Sequence, residues 1–279
     1  MTGSLLVHPH ERPPGRWPVL AAELFRERML SSESPFPCIF GADAARRATL
    51  RFAFIPAGDE RVPTLAGALR EFASVAEELG RRTSLVTIFE FDPRLNSLEA
   101  HRDHFWWLLT QLRQRDTAPW PDGISTDPDD PTWEFAFHGM PMFVVANTPH
   151  HRRRRSRYFE YFAITFQPRF VFDDLKEGTP SGDNSRTVIR RRLAAYDGVE
   201  RTPLLASFGA AGTKEWIQYF LRDDNEPVDP DARCPITAPH TRRDKEHHAI
   251  AFVHERTAGP VGREDHHLPS PAGELRGPA

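Results

Sequence analysis

The sequence predicts a single α+β domain, a mixed, mainly antiparallel sheet of about five strands flanked by helices, on three observations. A strand, helix, strand order over residues 50–90 gives one parallel crossover. Three strand-length runs crowded into residues 133–167, the first two parted by a turn at Gly139, give antiparallel neighbours. Before, between and after these runs, apolar residues recur at three- and four-residue steps, the spacing of helices that bury one face.

Residues 1–16 carry Pro9, Pro13, Pro14 and Gly15 among charges and read as a flexible N-terminal arm. From Trp17, the series Val19, Leu20, Leu24, Phe25, Met29 and Leu30 predicts a helix ending near Ser31. Leu50 to Ile55 alternates with period two, and Thr83 to Glu90 is a β-branched run of strand length. A helix from Thr64 to Leu79 joins them, with Gly80 as its C-cap. Leu98 to Arg115 is a second amphipathic helix. Pro119–Gly123 and Asp127–Pro131 then punctuate the chain as tight turns. Strands follow at Trp133–Phe137, Met142–Asn147 and Phe159–Gln167, and helices at Arg186–Tyr196 and Lys214–Leu221. The foldable domain is thus residues 17–225, and residues 226–279, with eight prolines and six histidines, read as a mostly disordered tail.

With 36 basic against 39 acidic residues the net charge is −3, so no overall field draws the chain to nucleic acid or an anionic membrane. Two cysteines, Cys38 and Cys234, exclude a disulfide-dense secreted domain and fit a reducing cytoplasm. No apolar run reaches the length of a membrane span. There is no glycine-rich phosphate loop, no G-x-S-x-G elbow and no C-x-x-C pair. His101 and His104 share a helix face at i, i+3 without a third ligand.

Two local features point to chemistry. His150–Arg157 places two imidazoles beside five guanidinium groups, which suits carboxylate or phosphate, whether on a backbone, a ligand or a cofactor's propionates. Cys38 lies between Pro37 and Gly41 and is either an inert small hydrophobe or a fixed ligand or nucleophile.

A set of motifs runs in order through the chain: Phe36-Pro-Cys38, Leu50-Arg-Phe52, Thr83-Ser-Leu-Val86, Phe105-Trp106, Pro119-Trp-Pro121, Asp127-Pro-Asp129, Trp133-Glu-Phe135, Asn147-Thr-Pro149, His151 with Arg154-Arg-Ser-Arg157, Phe166-Gln-Pro-Arg169, and Glu215-Trp-Ile-Gln-Tyr-Phe-Leu221 with Asp223-Asp-Asn225. In these the sequence resembles the YqcI/YcgG family from about Trp17 to Asn225. The resemblance implies a haem-dependent N-oxygenase of guanidino compounds, with haem b (iron) as cofactor and L-arginine converted to Nω-hydroxy-L-arginine, as in D-cycloserine and guanitoxin biosynthesis. Dioxygen or peroxide and an unidentified electron donor would be its partners, with nucleic acid and membrane excluded and a homo-oligomer left open.

Under that resemblance His151 and Cys38 are the candidate axial ligands, with His151 preferred because its segment could hold iron and propionates together. Arg154, Arg157 and Arg169 would anchor the propionates. A guanidinium substrate needs a carboxylate, and Glu134, flanked by aromatics on a strand, is the first choice, with an ion pair to Arg157 or Arg169 as its other reading. Asp127 and Asp129 are weaker choices beside turn-forming roles, Asn147 and Thr148 would bind the amino-acid end of the substrate, and Asp223–Asn225 would cap a helix or close the site. Ala136 and Ala146 stand where many family members carry cysteine, which adds weight to Cys38, and Phe208-Gly-Ala210 departs from a Tyr-Gly-Asp pattern. The competing readings are a non-catalytic haem-binding or sensor protein and a phosphate-binding module built on residues 150–157.

Overall fold

The computed structural model describes residues 3–174, 178–229 and 231–236. Helices α1 (Arg16–Leu30), α2 (Ile39–Arg46), α3 (Arg61–Val75), α4 (Leu98–Arg115) and α5 (Pro180–Tyr196) surround strands β1 (Leu50–Ile55), β2 (Ser84–Phe89), β3 (Phe135–Phe137), β4 (Met140–Asn147) and β5 (Ala163–Pro168). The strand order is β1-β2-β5-β4-β3. β1 and β2 run parallel, Leu50 opposite Ser84, and every other pair is antiparallel, as the spacing of the runs predicts.

The interior strand β2 is buried along its whole length because both faces are covered. Leu85 and Phe89 face a core closed by α3 and α4, with Leu69, Phe72, Phe105 and Leu109. Val86 and Ile88 face the other way, toward Phe25 and Met29 of α1. Period two along one strand thus supplies two separate cores.

Several boundaries differ from expectation. α2 is absent from the sequence reading, since Pro37 and Gly41 look like breakers; Pro37 in fact precedes the N-cap and Gly41 lies in the first turn. The last expected helix is only a 3₁₀ turn, Glu215–Gln218, because the carbonyls beyond it are taken by arginines rather than by helical amides. Where a flexible arm is expected, Val7 exchanges two backbone hydrogen bonds with Phe52 and covers the open edge of β1. Cys234 and Ile236, expected in the tail, join the core, and the rest of that tail, from residue 237, lies outside the described residues. Among the described residues no helix is long and apolar enough to cross a membrane.

Candidate functional site

The face of the sheet opposite α3 and α4 carries a cavity. Val86 of β2, Thr165 and Gln167 of β5, and Val145 and Asn147 of β4 stand at alternate positions and form its floor, with Val145 opposite Thr165 in register. α1, the turn 36–41 and α5 close over it and leave about 210 Å³. A wider cavity of about 580 Å³ continues from it toward the 3₁₀ turn at Glu215, and the two share Phe143, Ile189, Leu193, Arg201 and Leu205.

Cys38 stands in the wall of the first cavity. It is the N-cap of α2, and its Sγ accepts a hydrogen bond from the Gly41 amide at 3.4 Å. The sulfur therefore occupies the place where a helix start offers amide hydrogens and a partial positive charge. Burial pushes the thiol pKa up, opposed by the Gly41 and Phe40 amides, the Gln167 side chain and the charge of Arg157. A side chain at position 41 would bring its Cβ to 2.8 Å from Met29 Cε and 3.6 Å from Cys38 Sγ, so glycine allows this close approach.

His151 is placed differently. Its Nε2 lies 2.9 Å from the Leu221 carbonyl, which can only accept, so Nε2 carries the proton. Nδ1 then accepts from the Thr148 hydroxyl at 3.0 Å. Both nitrogens are spent, the ring lines neither cavity, and burial lowers its pKa to about 4. In this arrangement both ring nitrogens are engaged by protein groups, so the geometry lends no support to the expectation of His151 as metal ligand. Thr148, fully buried, orients that ring and does not reach the cavity, whereas Asn147 does, donating to the Ser156 carbonyl at 3.3 Å.

The basic segment is also committed internally. The backbone amides of Arg152, Arg153 and Arg154 converge on the Asp223 carboxylate at 2.6 to 2.9 Å, so the chain's own anion fills the nest. Arg154 bonds the carbonyls of Arg222 and Asp224 and the Asn225 side chain. Arg157 bonds the carbonyls of Gln218 and Tyr219, and burial lowers its pKa to about 10. Both arginines line the first cavity while serving first as clamps on residues 218–225. A phosphorylated partner would have to displace Asp223.

Glu134 faces Arg169, the second of its two readings. Arg169 Nε donates to Oε2 at 2.7 Å and Nη2 closes a second, very short bond to Oε1. The same Nη2 reaches Glu215 Oε1 at 3.2 Å. Glu134 is fully buried and lines neither cavity, so it is not the carboxylate that meets a ligand. Burial pushes it up to about 7 against the pull of Arg169. Arg169 itself lines the second cavity, its guanidinium 3.7 Å from the centroid of the Phe208 ring. Asp127 and Asp129 take the turn and anchor roles: Asp127 accepts the Asp129 amide, and Asp129 pairs with Lys214 and Arg233.

His104 accepts from Arg61 at 3.0 Å and burial lowers its pKa to about 3. Among the described residues no three His, Cys, Asp or Glu side chains are grouped to hold a metal ion. Sequence reasoning missed Arg28, Gln167, Arg201 and Glu215 as cavity residues. Gln167 and Glu215 fall inside the quoted motifs, and a polar side chain among aromatics was the available signal.

The sheet thus carries a mainly apolar cavity with the Cys38 thiol in its wall. The chain belongs to the YqcI/YcgG family, whose model matches residues 25–237. It is 40% identical over 243 residues to the uncharacterized protein YcgG of Bacillus subtilis, covering 85% of this chain and 94% of that one. It is 40% identical over 231 residues to YqcI of the same organism, covering 81% and 89%. It is 36% identical over 210 residues to DcsA of Streptomyces lavendulae, covering 72% and 78%, a protein provisionally named an N(omega)-hydroxy-L-arginine synthase. No solved structure matches it.

Proposed function

We propose that this protein is an enzyme that hydroxylates a guanidino nitrogen, with L-arginine as substrate and haem b as cofactor, and that Cys38 is the haem ligand. The observation that carries the reading is the Cys38 sulfur facing an apolar cavity, in a chain whose relative DcsA is named for Nω-hydroxy-L-arginine synthesis. The donor set suits the group, and because the first cavity of about 210 Å³ is smaller than a haem, the ring would extend into the adjoining space of about 580 Å³. Haem takes a thiolate as an axial ligand, an apolar wall for its ring and cations for its propionates. Arg28 and Arg201 line the cavity, and Arg28 Nε is buried without a hydrogen-bond partner among the described residues.

When bound, haem supplies the activation of dioxygen or peroxide and the transfer of an oxygen atom to nitrogen, chemistry that no side chain has. The chain does the rest. The Gly41 amide and Gln167 stabilise the Cys38 thiolate, and the Arg157 charge lowers the cost of its ionisation. Arg28 and Arg201 hold the propionates, while Phe25, Phe36, Phe143 and Phe159 exclude water. The part of the wider cavity beside Glu215 would receive the substrate.

The test is turnover. Haem-loaded protein, given L-arginine with dioxygen and a reductant, or with hydrogen peroxide, should release a product heavier by one oxygen atom and identical to Nω-hydroxy-L-arginine. Haem-replete protein that leaves arginine unchanged under both regimes contradicts the reading.

A further inference from the structure

The wider cavity has a buried charge imbalance. Glu134 and Glu215 are 0% and 3% exposed, and one guanidinium, that of Arg169, serves both. The three groups together carry one uncompensated negative charge when both carboxylates are ionised. Glu134 is enclosed and takes the two-point bond. Among the described residues Glu215 receives one bond from Arg169, at 3.2 Å, and one from Gln218 Nε2, at 3.1 Å. A carboxylate has about four acceptor positions, so roughly half of those on Glu215 are open. Unlike Glu134, Glu215 forms part of the cavity wall.

The walls beside it suit a flat cation. Phe208 stacks on Arg169, with Phe172 on the same guanidinium at 5.7 Å, so the protein already packs one guanidinium against aromatic rings here. The cavity also carries Arg190 and Arg201, both exposed, which can pair with a carboxylate. One end of the cavity lining is thus anionic and aromatic, and other parts of it are cationic.

From this we infer that Glu215 is the residue that recognises the guanidinium of an ω-guanidino acid bound in the wider cavity, with Arg190 taking its carboxylate. As the specificity element of the proposed hydroxylation it rests on that reading; as a cation site it depends only on the geometry. A ligand guanidinium would fill the open acceptor positions of Glu215 and balance the charge left by Glu134, Arg169 and Glu215. The rise in the pKa of both carboxylates with burial is in keeping with a site that lacks a cation. The shared wall residues put this ligand next to the cavity that holds Cys38.

The experiment is calorimetric titration of the haem-loaded full chain with L-arginine and with L-citrulline, which has the same length but an uncharged ureido end, for wild type and Glu215→Gln. Arginine should bind wild type at least about 30-fold more tightly than citrulline, and Glu215→Gln should lose about that factor for arginine alone. Equal affinities in wild type, or unchanged arginine binding in Glu215→Gln with a native circular dichroism spectrum, overturn the inference. If Glu215→Gln does not fold, the wild-type discrimination decides alone. Arginine binding that depends on Glu215 in protein without a Soret band would sink the oxygenase reading and leave this site standing.

Discussion

The Gly41 amide donates to Cys38 Sγ across 3.4 Å, so the first turn of α2 holds the cavity's thiol by the group the thiol itself caps. Two short-range features, a proline before the cap and a glycine three residues after it, fix where the sulfur points. Burial raises the pKa of the same thiol and so favours its protonated form.

Cys38 should therefore be a sluggish thiol in cofactor-free protein. Alkylation by iodoacetamide at neutral pH is expected to be slower than for an unperturbed cysteine, read by mass spectrometry of the modified peptide. Rapid, stoichiometric labelling of Cys38 at pH 7 would show that the thiolate is already favoured.

Arg169 stands between two buried carboxylates, so Arg169→Leu should destabilise the fold by about 3 to 5 kcal/mol. The loss should be larger near pH 8 than near pH 5. Glu134 has an unfolded value of 4.5 and a folded value of about 7, so its protonated form favours the fold at low pH and that contribution disappears as pH rises to about 7. Urea denaturation at both pH values measures it, and an equal loss at both would argue against the assignment.

His151 acts in the opposite direction. The unfolded ring protonates near 6.5 and the folded ring near 4, so stability is complete above 6.5 and falls as pH drops toward 4, by about 2 to 3 kcal/mol. His151→Gln should flatten that part of the stability profile while costing stability at neutral pH through the lost bond to Leu221. A profile as steep as wild type would mean that His104 or another group carries the acid sensitivity.

Asp223 receives three backbone amides, and Asp223→Ala should cost about 1 to 3 kcal/mol because the part-buried amide of Arg154 and the exposed amides of Arg152 and Arg153 lose their anion together. Limited proteolysis should then cut within residues 150–155 faster than in wild type. Unaltered cleavage there would deny Asp223 its role in ordering the loop.

The parallel crossover and the three antiparallel strands were legible because period-two runs and the Gly139 turn are local signals. α2 was not, because a proline outside the N-cap and a glycine inside the first turn look from sequence like two breakers. The site divided in the same way. Cys38 and Asn147, singled out through the family motifs, both line the first cavity, although the neighbours of Cys38 alone left it open between an inert hydrophobe and a ligand. His151 and Glu134 stood out by residue type among apolar neighbours, yet each is turned to an internal partner, Leu221 and Arg169, that lies 70 and 35 residues away. Sequence shows that a buried polar group needs a partner and not whether the partner is protein or ligand. Glu215 escaped notice because its meaning depends on Glu134 and Arg169 having paired first.

The central claim is that Cys38 holds haem in the apolar cavity, and the ferrous–CO absorption spectrum of the haem-loaded full chain tests it most directly. A Soret band at the long-wavelength position of a thiolate ligand, lost in Cys38→Ser and kept in His151→Ala, is the predicted result. An imidazole-type band that survives Cys38→Ser, or no Soret band in haem-replete wild type, would contradict it.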